Sequence, residues 1–435
     1  MKKAIGFLCL FLFIYQGISS AEEYTLKDIF SLALQRSEQI RISEEEFRIS
    51  EAGKDKASSF LIPKLSLFGE LRRYKEGKVI PGGQILQPET SSLWGIRLDQ
   101  SISIGGNEFI SLGISKDNIE KNRYEIYRIK EEYLYGVAVQ YYNVLSAERA
   151  LEIGQSNVAR LKSHRDAAAL RLKVGEVTKT VLLRAEAELE GAYSDLVRMQ
   201  NNLAIAKVTL IRLVGVNEDF TLKESEDELA ETLSIEALKE IAYAERPELR
   251  GIMIQNEIAK KQVRYSRGFF LPTVSVEAVF TQRDDEPESD LFMEESFYGG
   301  IKLSFPFFEG GLRKAELRES LSRLRQAELA ISDIKKTIEV EVQSAYLDVI
   351  ANQAVIEKLD AQLNYAKENY GAVSKQFDYG LATSLDVMDA NNLLTTTEKQ
   401  LSDEKATYRL SLLRLKKATG TLVKSVLGEN KGGIQ

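Results

Sequence analysis

The sequence predicts a membrane protein of mixed α and β structure, written twice. Four amphipathic strands cross a bilayer, and long coiled-coil helices lead away from it. Three observations carry this expectation. The chain repeats itself in one register over most of its length, alternating apolar segments precede the helices of each repeat, and apolar residues recur every seven positions along those helices.

The repeat is read first, because it organises everything else. Gly95-Ile96-Arg97-Leu98 returns as Gly300-Ile301-Lys302-Leu303, an offset of 205. The same offset carries Gly105-Gly106 onto Gly310-Gly311, Tyr141 onto Tyr346, Gly175 onto Gly380, Thr178 onto Thr383 and Gly215 onto Gly420. Upstream the offset becomes 209, and Pro63-Lys64-Leu65-Ser66 matches Pro272-Thr273-Val274-Ser275. The first repeat covers residues 22–215: a helix, a β-hairpin at about 62–104 and a helical hairpin at about 112–215. The second covers 234–420, with its β-hairpin at about 271–308 and its helical hairpin at about 314–420.

The strands rest on alternation, which places one face in an apolar medium. Leu65, Leu67 and Leu71 alternate with Lys64, Ser66, Glu70 and Arg72, and only Phe68 breaks the polar side. Trp94, Ile96, Leu98 and Ile102 alternate with Arg97, Asp99, Ser101 and Ser103. Val274, Val276, Ala278 and Phe280, then Ile301, Leu303, Phe305 and Phe307, repeat the pattern. Pro63 and Pro272 each stand at a strand start, where a missing N–H is tolerated. Turn-rich loops at roughly 75–91 and 282–295 separate the paired strands.

The helices rest on sevens. Leu182, Leu189, Leu196, Leu203 and Leu210 keep strict heptad spacing, as do Val342, Val349, Ile356, Leu363, Tyr370 and Phe377. Such a seam belongs to a left-handed coiled coil. None of the seven prolines falls in 89–246 or 307–435, so both stretches are free to be very long helices. Each helical hairpin reverses at a glycine, Gly175 or Gly380, which supplies the left-handed conformation that ends a helix. Thr178 and Thr383 stand three residues later as caps of the returning helix.

Four strands of about ten residues suit a bilayer of ~30 Å but cannot close a barrel. Open edges in lipid are costly, so closure must come from other chains. Two chains give eight strands and a filled lumen; three give twelve and room for water.

Composition removes most alternatives. The chain holds one histidine (His164), one cysteine (Cys9) and one tryptophan (Trp94), too few for a His/Cys metal cage or a disulfide framework. No cofactor, metal site or enzymatic activity is expected. The net charge of −7 argues against a nucleic-acid partner. Residues 1–21 read as a signal peptide: Lys2-Lys3, an apolar run from Ala4 to Tyr15, and small residues Ser19-Ser20-Ala21 before the expected mature start at Glu22. Export also fits a periplasmic coiled-coil adaptor or scaffold, but that reading leaves the paired amphipathic strands unexplained.

The signal peptide, the duplicated strand-hairpin plus helix-hairpin and the Gly380-x-x-x-x-x-Asp386-Val387-x-Asp389 turn resemble the TolC-type outer-membrane efflux proteins, or outer-membrane factors. The resemblance covers essentially the whole mature chain. It implies a homotrimer: a 12-stranded outer-membrane β-barrel, four strands per chain, in contact with outer-membrane lipid and continuous with a periplasmic α-helical coiled-coil barrel. It further implies a periplasmic adaptor (membrane fusion) protein and an inner-membrane RND, ABC or MFS transporter as partners. The function implied is passive exit of toxic small molecules or polypeptides in tripartite efflux or type I secretion.

The resemblance also assigns roles. Gly175, Thr178, Gly380 and Thr383 would form hairpin turns that touch the adaptor, and Asp386 with Asp389 would line a periplasmic constriction or cation ring. From spacing alone, Asp386 is equally the N3 partner of Thr383, with Asp389 merely solvated. Ala382 and Val181 depart from the family's gate pattern, so a salt-bridge lock through them is not expected, and Arg171 and Lys179 stand as substitutes or adaptor contacts. His164, mid-helix, reads as a surface imidazole. Residues 216–233 form an acidic linker between the repeats, and 421–435 read as a flexible tail.

Overall fold

The computed structural model describes residues 22–217, 219–224 and 233–428. The expected signal peptide, and parts of the acidic linker and the tail, lie outside the described residues. The chain divides into two compact units, each gathered from three stretches: Met1–Arg36, Val137–Leu229 and Ile356–Ala406, and Ser37–Gly136, Ala230–Val355 and Thr407–Gln435.

The second unit holds the long strands. A four-stranded antiparallel sheet runs in the order β2 (Lys64–Arg73), β5 (Thr90–Ser103), β7 (Thr273–Glu286), β8 (Glu295–Ser304). Pro63 and Pro272 directly precede β2 and β7. The alternation survives as a face: Leu67 pairs Ile96, Ile96 pairs Phe280, and Phe280 pairs Phe297. Leu67 is 75% exposed and Ile301 80%, so this apolar face is uncovered among the described residues. Phe68, the residue out of pattern, lies over Gly95: a Cβ built at Gly95 would meet Phe68 Cζ at 2.8 Å and the Phe280 carbonyl oxygen at 2.4 Å. Only glycine lets the ring and the neighbouring strand come that close. Strand β7 runs on to Glu286, further than its hydrophobic pattern, because Thr90–Leu93 offer a pairing partner. A small hairpin, β3 (Lys78–Val79) with β4 (Ile85–Gln87), sits inside the first long loop.

Where one helix is expected ahead of each β-hairpin, two are present. In the first repeat these are α1 (Leu26–Arg36) and α2 (Glu38–Ser59), and in the second α5 (Ile235–Glu245) and α6 (Pro247–Gly268). Ser37 caps α2 through its hydroxyl, which accepts from Ile40 N–H at 3.3 Å, and Pro247 opens α6 at a position where its missing N–H costs nothing. The long helices are α3 (Asn107–Lys173), α4 (Lys179–Val214), α7 (Leu312–Asp378) and α8 (Ser384–Ala418). At about 1.5 Å per residue, α3 and α7, each of 67 residues, run about 100 Å. α3 begins five residues earlier than its expected start, and Glu108 in its first turn accepts from Ser103 N–H and hydroxyl. In the second unit α5 and the start of α6 pack on α7 through Leu238, Ala242, Leu249, Ile338, Val342 and Ala345.

In the first unit α3 and α4 meet along Val158, Leu161, Leu189 and Ala192, with Leu196 packed against them, so two of the heptad leucines of α4 lie in this contact. There a parallel pair joins β1 (Glu22–Tyr24) to β6 (Phe220–Leu222) in the linker. Within the segment expected to be a flexible tail, α9 (Leu422–Leu427) is a helix with Leu422 and Val423 buried. Among the described residues no helix is long and apolar enough to cross a membrane.

Candidate functional site

The two helical hairpins turn alike in backbone and differ in side chains. Gly175 and Gly380 take φ of 80° and 78°. At each turn the glycine N–H bonds back to the residue three before, Leu172 or Phe377, and the next N–H reaches Arg171 or Gln376. These bonds satisfy carbonyls that a helix end leaves open.

The caps then diverge. Thr383 and Asp386 form a reciprocal box: the Thr383 N–H and hydroxyl donate to Asp386 Oδ2 at 2.8 and 2.7 Å, and Asp386 N–H returns to Thr383 Oγ1 at 3.3 Å. Those bonds hold the Asp386 carboxyl below the usual carboxylate range. Thr178 occupies the N-cap of α4 without a side-chain hydrogen bond, so the expected capping there is absent. Val181 stands where Asp386 stands in the other repeat, and has no carboxylate to complete a box. Asp386 and Asp389 are both exposed on α8, one turn apart.

Four residues of α3 connect the hairpins within the first unit. Arg160 donates to Asn391 Oδ1 and Thr395 Oγ1, both at 2.8 Å, and pairs with Glu398 at 3.3 Å. Asn157 accepts from Asn391 at 2.7 Å beside it. Arg171 donates to the Phe377 carbonyl at 2.7 Å and pairs with Glu176 at 2.9 Å. His164 sits between them and is not at the surface: it is 6% exposed, with Nε2 2.8 Å from the Ser384 hydroxyl and its ring 4.8 Å from that of Phe377. Burial holds its pKa below the ordinary histidine value, and Asp378 opposes the shift. The surface reading of His164 fails because Ser384 and Phe377, more than 200 residues away in sequence, cover it. Arg160, Asn157 and Asn391 gave no sequence signal beyond polar residues at helical spacing. Lys179 is exposed.

A family model described as outer membrane efflux protein matches residues 29–216 and again 238–421. The chain belongs to the outer membrane efflux protein family. This efflux-family chain is 23% identical over 339 residues to the outer membrane efflux protein BepC of Brucella suis biovar 1, covering 78% of this chain and 74% of that one. It is 26% identical over 313 residues to outer membrane protein TolC of Vibrio cholerae serotype O1, covering 69% and 70%. The Campylobacter jejuni CmeC outer membrane channel superposes with a TM-score of 0.81 at 16% identity, over 91% of this chain and 86% of that chain. The efflux protein is thus an outer-membrane channel of the efflux and secretion type with a periplasmic extension, and the two family matches are its two repeats.

Proposed function

We propose that this chain is the passive exit duct of a tripartite efflux or type I secretion system. The observation that carries the proposal is the sheet: an uncovered apolar face on four strands whose outer members, β2 and β8, have no partner on one side among the described residues. In lipid each unpaired backbone group costs several kcal/mol, so the edges require further copies. Three copies give twelve strands, the number that leaves a water-filled lumen. The duct carries out no chemistry. An inner-membrane transporter of the RND, ABC or MFS type supplies the energy, and a periplasmic adaptor binds the turns around Gly175, Thr178, Gly380 and Thr383. The cargo is small toxic molecules or polypeptides.

The exposed carboxylates of Asp386 and Asp389 supply the selectivity. Threefold symmetry gathers six of them, and like charges in a constriction attract cations. The test is the full-length protein in planar bilayers, with oligomeric state read by mass photometry. Trimers with a cation-selective conductance that changes in Asp386→Ala/Asp389→Ala support duct and ring together. A conductance indifferent to those substitutions removes the ring and keeps the duct. A protein released from membranes without detergent, and non-conducting, returns the reading to a periplasmic scaffold.

A further inference from the structure

Glu131 is a buried carboxyl group that the duct function does not use. It lies on α3 in the second unit and is 5% exposed. Its Oε1 accepts from Val423 N–H at 3.1 Å, at the start of α9. Its Oε2 is buried and has no hydrogen-bond partner among the described residues. The repeated fold does not require an acid here, because the same position of the second repeat is Lys336, which is exposed. What is particular to the first repeat's position is its neighbour, the C-terminal helix.

That helix is seated in a slot of the second unit. Leu422 and Val423 are 0% and 1% exposed. Lys424 bonds Glu245 at the end of α5. Between α5 and α6 the slot presents Arg246, paired with Glu248 and with Glu341 of α7. From α8 it presents Lys417, which pairs with Glu132 of α3 at 2.6 Å, and one turn back on α3 lies Arg128. These charges pair with other side chains, Arg128 with Glu125 on its own helix, whereas Glu131 meets the buried backbone of α9.

We infer that Glu131 is a proton-operated latch for the C-terminal helix, holding α9 in its slot when the carboxyl is neutral and loosening it when the carboxyl is ionised. An ionised carboxylate with one oxygen dry and unpaired is expensive, and a neutral one is not. Burial pushes the Glu131 carboxyl up to about 7, the Glu248 carboxylate adding to the rise, while the Val423 and Leu422 N–H groups and Arg246 oppose it. When α9 leaves its slot the carboxyl meets water and its pKa returns toward 4.5. The docked state therefore binds the extra proton, so docking is tightest below that ordinary value. It weakens as pH rises through the interval and is weakest above about 7.

The test is hydrogen exchange on the full-length protein in detergent at pH 5 to 8, corrected for intrinsic rates. Peptides spanning 419–428 report on α9, and peptides in 235–249 serve as the reference. In the wild type, protection of 419–428 should fall at least about tenfold from pH 5 to 8 while the reference stays level. In Glu131→Gln, which keeps an acceptor and cannot ionise, protection should be flat. A level profile in the wild type, an unchanged slope in Glu131→Gln, or a reference that moves in step would overturn the latch. If Glu131→Gln does not fold, Lys424→Met replaces it: the slope must persist there, and its loss is equally fatal.

Discussion

Arg171 ties the two hairpin turns of one chain together: it donates to the Phe377 carbonyl at 2.7 Å and lays its guanidinium 4.8 Å from the centre of the same residue's ring. A charge-assisted bond of this kind contributes about 1.5–3 kcal/mol. Arg171→Ala should free the turn at Gly380 and raise single-channel conductance several-fold. Arg171→Lys should restore part of the effect, because lysine donates but does not stack as a plane. An alanine variant with wild-type conductance would show that the tie restrains nothing.

His164 gives the same region a response to acid. Its pKa is lowered by burial, so its contribution is fully present above the ordinary histidine value of 6.5 and is lost as pH falls below it. The loss is at most about 1.4 kcal/mol per pH unit. Thermal melts at pH 7.5 and 5.5 should separate the wild type from His164→Gln, which keeps a polar group near Ser384 and does not titrate. Equal pH sensitivity in both proteins would assign the effect elsewhere.

The two caps should differ under the same substitution. Thr383→Ala removes the hydroxyl that both gives to and receives from Asp386, and should cost about 1 kcal/mol. Thr178→Ala removes a hydroxyl that bonds nothing at its cap and should be close to neutral. Denaturant melts of the two variants provide the comparison, and equal losses would contradict the asymmetry.

Gly95 should be the least replaceable glycine of the sheet. A methyl there meets the Phe280 carbonyl oxygen at 2.4 Å, a backbone atom that cannot step aside without parting β5 from β7. Gly95→Ala should destabilise by about 3 kcal/mol or more and reduce the yield of assembled channel. Gly69→Ala, whose nearest neighbour is the Leu93 carbonyl oxygen at 3.8 Å, is the matched control and should assemble normally. Similar losses in both would remove the explanation.

Much of this fold is legible from local pattern. Pro63 and Pro272 announce β2 and β7, and Leu189 and Leu196 of the heptad row on α4 do pack against α3. The exceptions share one cause, which is that a distant partner decides them. Arg283 to Glu286 has no alternating apolar side, yet it extends β7 because Thr90–Leu93 lies alongside. Ser37 ends α1 without disturbing the apolar rhythm, so two helices read as one. His164 looks solvated until Ser384 covers it, and Glu131 looks like any helical glutamate until α9 arrives. The three-residue strands β1 and β6 are too short for any periodicity to register.

The strand order carries a consequence for how such a ring is made. The repeat maps β2 onto β7 and β5 onto β8, so the internal seam β5–β7 joins the second strand of one half to the first strand of the next. In the closed assembly proposed above, β8 of one copy meets β2 of its neighbour, which is the same junction. Ile96 faces Phe280 within the chain. The corresponding pair across the chain boundary would be Ile301 and Leu71 of the adjoining copy. A half-length ancestor would have met only itself, six times around, and gene doubling turned every second subunit boundary into an ordinary stretch of polypeptide.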